Sequence, residues 1–193
     1  VGKTTLGADA PKPIFLDIEN GTARVNATRF PVPESFEDVL DALAELATGK
    51  HDFETLVVDS LDRLESLIWK HVVKASGLSE SCSIEDVGQG FGRGYVAAID
   101  QWRRFLGEVE RVRMQRGMRV IFVAHATMKT VSNPEGPDYD RFAIKLHGGN
   151  KSFPGTPQHE SELLMDALCS GTLCGLTACR AISEGVDLPL AAV

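Results

Sequence analysis

The sequence has no apolar run approaching the ~20 residues that cross a bilayer, and its opening residues, VGKTTL, are not the basic-then-apolar leader of a secreted protein. Membrane insertion is therefore not expected, and the expected compartment is the cytoplasm. Cysteine is scarce: Cys82, Cys169, Cys174 and Cys179 form no C-x-x-C units, which argues against a zinc site or a disulfide framework and for reduced thiols. Positive charge is also short, with 20 Lys and Arg against 27 Asp and Glu and a net charge of -7, so no surface that coats itself uniformly with nucleic acid is expected. Any contact with DNA must be local. What is present is the balance of a globular chain, 43% hydrophobic and 24% charged over 193 residues, enough for one compact domain with a sizeable core.

Residues 13 to 17, PIFLD, are a short apolar run followed by polar and glycine residues, the pattern of a buried strand. Ser35 and Asp38 form a capping box ahead of a helix in which Phe36, Val39, Leu40, Leu43 and Leu46 recur at helical spacing until Gly49. TLVVD, residues 55 to 59, reads as a second strand, and Leu61, Leu64, Leu67, Ile68 and Val72 mark a second helix ending near Gly77. A glycine-rich stretch, GQGFGRGY, precedes a long helix with Val96, Ile99, Trp102, Leu106 and Val109 on one side and Gly117 as its cap. RVIFVAH is a third strand, ending in a histidine. Strands interleaved with amphipathic helices predict a parallel sheet with helices on both faces.

Sheets of this kind bind ligands beyond the carboxyl ends of their strands, so polar residues there are the candidates. Gly2, Lys3 and Thr4 fit the last three positions of the phosphate-binding pattern G-x-x-x-x-G-K-[ST], whose first glycine would lie ahead of Val1. Asp59 ends its strand either as the acidic residue that holds a magnesium shell or, beside Ser60, as a helix N-cap. Asp17 and Glu19 follow the first strand as carboxylates that orient an attacking water, or as members of a turn with Asn20 and Gly21. His125 is either a donor to a terminal phosphate that reports its loss or a structural histidine. GQGFGRGY lacks the G-x-G-x-x-G that opens a helix after a strand, so a flexible connector is expected rather than a dinucleotide site. Arg103, Arg104, Arg111 and Arg113, together with Glu108 and Glu110, are expected to form a solvated helix face.

In this order and at these intervals, GKTTL, IFLDIENGT, TLVVDSLDRLE and GMRVIFVAHATMK resemble the RecA-like ATPase core. More narrowly, they resemble the phage and prophage ATP-binding proteins that are compact relatives of RecA, some of which act with single-strand DNA in recombination. RFPVPESFEDVLDALAEL, GFGRGY and PEGPDYDRFAIKL extend the resemblance over residues 1–147. It implies an α/β three-layer sandwich with a mainly parallel sheet, a P-loop NTPase in which magnesium-dependent ATP hydrolysis is coupled to single-strand DNA binding in recombination or annealing. A homo-oligomer in the cytoplasm of a bacterium or phage-infected host is implied as well. Gly2, Lys3, Thr4 and Thr5 would hold the ATP phosphates, Thr4 and Asp59 would hold Mg2+, Glu19 would be the catalytic glutamate, and His125 would take the sensing position that is a glutamine in RecA itself. Residues 126–146 would be the mobile loop that contacts DNA. In that loop Lys129, Arg141 and Lys145 are offset by Glu135, Asp138 and Asp140, Tyr139 and Phe142 are candidates to stack on bases, and Arg141 or Lys145 is a candidate to reach a neighbouring subunit's nucleotide. Two further functions fit the same residues: a nucleotide-dependent replication switch or adaptor, and a non-enzymatic remnant that keeps the fold.

After IKLH the character changes. From Ser152 onward Arg180 is the one basic residue, against Glu160, Glu162, Asp166, Glu184 and Asp187, and no core strand is legible. Residues 148–193 are thus expected to be a divergent tail, with Leu163, Leu164, Ala167 and Leu168 as a candidate helix face, and the sheet is expected to lack an outer strand. With the phosphate loop clipped at Val1 as well, weak ATP binding is expected.

Overall fold

The computed structural model describes residues 3–21, 26–131, 133, 136–147 and 176–179. In order, the elements are α1 (Lys3–Ala8), β1 (Pro13–Asp17), β2 (Thr28–Arg29), α2 (Phe36–Thr48), β3 (Thr55–Asp59), α3 (Leu61–Ala75), α4 (Arg93–Arg116), β4 (Arg119–Val131), β5 (Tyr139–Ile144) and β6 (Leu176–Cys179). Strand alternation decides the layers, because successive side chains leave opposite faces of the sheet and here both sets are apolar. Ile14, Leu16, Leu56, Val58, Val120, Phe122 and Ala124 enter the main core with α2, α3 and α4. Phe15, Val57 and Val123 point the other way and pack with Ala8 of α1. Gly7 lets α1 come this close: a Cβ there would stand 2.9 Å from Val57 Cγ1 and 3.0 Å from the Phe15 ring. The result is the α/β three-layer fold with a mainly parallel sheet that the sequence predicts.

The strand order is β2-β1-β3-β4-β5, with β6 also paired to β4. β1 runs parallel to β2 and β3, and β3 parallel to β4. Register aligns Asp17 with Asp59 and Asp59 with Val123, so the carboxyl ends of β1 and β3 share one rim, beside the middle of β4. The helix ends follow local chemistry. Ser35 accepts from the Asp38 N–H while Asp38 accepts from the Ser35 N–H, closing the expected capping box at 3.1 and 2.9 Å. Gly117, at φ +64°, caps α4 in the left-handed region that favours glycine.

Three expectations are corrected. β4 does not end at His125: it continues to Val131 and β5 returns antiparallel, from Ala126↔Ile144 to Val131↔Tyr139, so most of the stretch expected as a mobile loop is a β-hairpin. Cross-strand pairing satisfies its backbone groups, and the Thr130 hydroxyl donates to Asp140 at 2.6 Å across the ladder. The tail supplies the outer strand it was expected to lack, with β6 lying parallel to β4 from Phe122↔Leu176 to His125↔Cys179. A backbone ladder recruits a strand without requiring a Val- and Ile-rich pattern, which is why this one was illegible. GQGFGRGY is not a connector throughout: Gly88, Gly90 and Gly92 turn the chain with positive φ, but Arg93, Gly94 and Tyr95 already form the first turn of α4, and ahead of the stretch Ser83 and Asp86 close a capping box on the kinked 3₁₀ segment Ile84–Gln89.

The remainder of the tail lies outside the described residues, including the candidate helix face at 163–168, Cys169 and Cys174. Cys82 is a free thiol. Among the described residues no helix is long and apolar enough to cross a membrane.

Candidate nucleotide site

Lys3 begins α1 directly ahead of the sheet, and the next residue meets the end of β3. Thr4 Oγ1 donates to Asp59 Oδ2 at 3.1 Å, a contact between residues 55 apart in sequence. Asp59 is almost fully buried, and the N-cap position of α3 falls to Ser60, which makes no side-chain cap bond. Thr5 is exposed, Gly2 lies outside the described residues, and of Lys3 only the backbone is described.

β1 ends in a tight turn that ties it to the same strand. The Ile18 and Glu19 N–H groups donate to the Asp59 carbonyl at 2.7 and 3.3 Å. Asp17, fully buried, accepts from the Gly21 N–H at 3.0 Å, so its carboxylate shapes the turn in which Asn20 takes φ +57°. Glu19 is left half-buried beside a cleft of about 590 Å³. The cleft brings Glu19 together with His125, and Asp62, Arg63, Lys145 and His147 share its walls.

His125 is held from α3. Its Nδ1 lies 2.9 Å from each Asp62 oxygen. Burial alone would raise the Asp62 carboxyl, but the hydrogen bond and charge of His125 outweigh it and hold the group below its ordinary value. One turn further along α3, buried Glu65 accepts from the His147 N–H at 2.6 Å, just past the end of β5. His147 stacks on Tyr95 with ring centroids 3.9 Å apart, and Trp69 meets both rings edge-on. Sequence reasoning missed Asp62, Glu65, Trp69 and His147. Glu65 left one signal, a carboxylate in register with the apolar positions Leu61, Leu64 and Ile68; Asp62 left none beyond being an acid in the first turn of a helix.

Three arginines of α4 are engaged within the helix. Arg103 pairs with Asp100 at 2.9 Å, Arg111 with Glu108 at 3.0 Å, and Arg113 makes a two-pronged contact with Glu110 at 2.8 Å. A solvated face is the account these pairs support.

A parallel α/β sheet with a hydroxyl and a carboxylate in contact at its carboxyl rim, and a helix starting beside them, is the architecture of a P-loop NTPase-type domain. An AAA domain family model matches residues 1–156, and the chain belongs to that family, whose domains are nucleotide-binding and of ATPase type. No curated protein and no solved structure matches the chain.

The donor chemistry also suits a hard divalent cation. Thr4 and Asp59 present only oxygen, and among the described residues no cluster of three or more His, Cys, Asp or Glu could cage a metal. Mg2+ prefers that situation, bound through one or two protein oxygens with phosphates and water completing its shell.

Proposed function

We propose that this chain is a magnesium-dependent, RecA-like ATPase that couples nucleotide state to single-strand DNA binding in phage-type recombination or annealing. The contact between Thr4 and Asp59 carries the reading, because it joins the end of GKT to the end of the second core strand, the pairing that a nucleotide-bound Mg2+ needs. Gly2, Lys3, Thr4 and Thr5 would receive the ATP phosphates, and Thr4 with Asp59 would hold Mg2+, which when bound supplies charge neutralisation at the β- and γ-phosphates. Glu19 orients the attacking water and accepts its proton, and His125 stands at the same cleft as the group that responds to the terminal phosphate.

What supports DNA as the partner is the sorting of charge by strand register. The sequence from 126 to 146 is neutral overall, yet the two-residue period puts positions 125, 127 and 129 on one face with their partners 145, 143 and 141. Sequence positions 129 and 141 therefore fall in register on the strand face of Lys145 and Tyr139, the latter 51% exposed. Asp140 falls on the other face, where Thr130 holds it. A local basic face with an aromatic is what a single-strand contact uses, in a protein whose net charge is -7. Assembly as a homo-oligomer, with Arg141 or Lys145 reaching a neighbour's nucleotide, belongs to the same proposal.

The test is ATP hydrolysis by the full chain with Mg2+, with and without single-strand DNA. Stimulation by DNA that weakens as salt rises is the expected result. Hydrolysis indifferent to DNA would favour the replication switch or adaptor instead, and no hydrolysis under any condition would favour the non-enzymatic remnant.

A further inference from the structure

On sequence grounds His125 acts alone, and in the fold it does not. Asp62 reaches it from the first turn of α3, 63 positions away in sequence, and offers both carboxylate oxygens to Nδ1 at 2.9 Å. The His125 backbone N–H also approaches Oδ1, at 3.4 Å. Three ties thus converge on one carboxylate. The main chain of His125 is fixed as well, since its carbonyl accepts from the Lys145 N–H at 2.7 Å. Glu65 ties the chain just past β5 to the same helix through the His147 N–H.

Proton bookkeeping then decides what the ring presents. An ionised carboxylate accepts hydrogen bonds and donates none, so the proton between Asp62 and His125 sits on Nδ1. Whatever His125 does in the cleft it does through Nε2. In the neutral ring Nε2 is an acceptor, suited to a water; in the imidazolium it is a donor, suited to a phosphate oxygen. A histidine without Asp62 would be at liberty to place its proton on either nitrogen and to turn about its side-chain bonds. The side chain of Asp62 is 14% exposed and that of His125 is 34% exposed, so the tie is shielded while the ring still meets the cleft.

We propose that Asp62 is a positioning residue for nucleotide hydrolysis, holding His125 in the Nδ1–H tautomer so that Nε2 is the nitrogen turned to the reacting end of the nucleotide. The proposal rests on the ATPase reading above, and it adds a residue that the resemblance does not supply. A merely structural tie between α3 and β4 would stiffen the fold but would leave the choice of nitrogen without consequence for turnover.

Long-range 1H–15N spectra of 15N-histidine-labelled full chain read the tautomer directly, with His125→Gln identifying its signals among the five histidines. Neutral His125 in the wild type is expected as Nδ1–H, moving to a mixture dominated by Nε2–H in Asp62→Ala. Steady-state hydrolysis of Mg-ATP by the same variant should lose at least about tenfold to a hundredfold in kcat with little change in KM, the scale seen when the hydrogen-bond partner that orients a metal-ligating histidine is removed. A wild-type chain with Nε2–H would overturn the proposal even if the variant failed to fold. So would an unchanged tautomer or an unchanged kcat in Asp62→Ala. Failure of the underlying reading looks different: the tautomer moves as expected, but the wild type hydrolyses no ATP, and the catalytic role falls with it.

Discussion

Gly94 opens the first turn of α4 against the backbone of the 3₁₀ turn, and replacing it with alanine tests the packing that sets Tyr95 against Trp69 and His147 behind the cleft wall. A methyl group built there overlaps the Ile84 carbonyl oxygen and stands 2.8 Å from Ile84 Cγ1 and 3.1 Å from the Ile84 carbonyl carbon. A carbon approaches a carbonyl oxygen no closer than about 3.3 Å, so the turn and the helix must part by about 1 Å. Neither moves cheaply: Ile84 is 5% exposed, and the Ser83–Asp86 capping box holds the turn. Parting them weakens the Tyr95–Glu85 hydrogen bond of 3.2 Å and the stack of Tyr95 on His147. Forcing a methyl into a packed contact costs about 1–3 kcal/mol, and the disturbed ring pair adds about 0.5–1.5 kcal/mol. Alanine returns at most about 1 kcal/mol over glycine in a helix. The net expectation is a loss of about 2 kcal/mol. Urea unfolding followed by tryptophan fluorescence reads this, and the midpoint should fall while the slope stays constant. A loss under about 0.5 kcal/mol, the scatter of an ordinary surface substitution, would refute the claim that α4 and the turn are locked at Gly94.

Lys3→Ala should abolish nucleotide binding measured by calorimetry, and an affinity unchanged from the parent chain would remove Lys3 from the site. Glu19→Gln should keep that affinity and slow hydrolysis by about 10²–10⁴; equal turnover would remove Glu19 from its catalytic role. Acid stability should also register Asp62. Burial would raise its carboxyl, but the His125 hydrogen bond and charge hold it below the ordinary value, so the unfolded chain takes up that proton first. The stabilisation is complete above the ordinary carboxyl value of about 4 and is lost as pH falls through the lower folded value. Melting curves of the wild type and Asp62→Ala should therefore converge from about pH 5 down to about pH 2, and a constant gap across that window would count against the pairing.

Much of the fold is legible in the sequence because its signals are local. PIFLD and TLVVD are strands at the predicted boundaries, and α2 buries the five predicted residues Phe36, Val39, Leu40, Leu43 and Leu46. In α4 the legible stripe is slightly misplaced. Val96 is 40% exposed, and the buried line runs through Ala98, Trp102, Phe105, Val109 and Val112. Several stripes of a long amphipathic helix satisfy the same periodicity, and its packing against α2 and α3 selects one. The candidate site divides in the same way. Thr4, Glu19, Asp59 and His125 were named from short patterns at strand ends, whereas Asp62 and Glu65 read as ordinary helix acids until the fold sets His125 and His147 against them.

Residue order alone settled the alternation of strands and helices, the caps, and the rim on which polar residues gather, since each depends on neighbours within a few positions. Tertiary structure decided which acid holds which histidine, that the stretch after His125 folds back as a hairpin, and that the segment at 176–179 closes beside β4. Those outcomes join residues tens of positions apart through register and backbone pairing, and neither composition nor spacing encodes them.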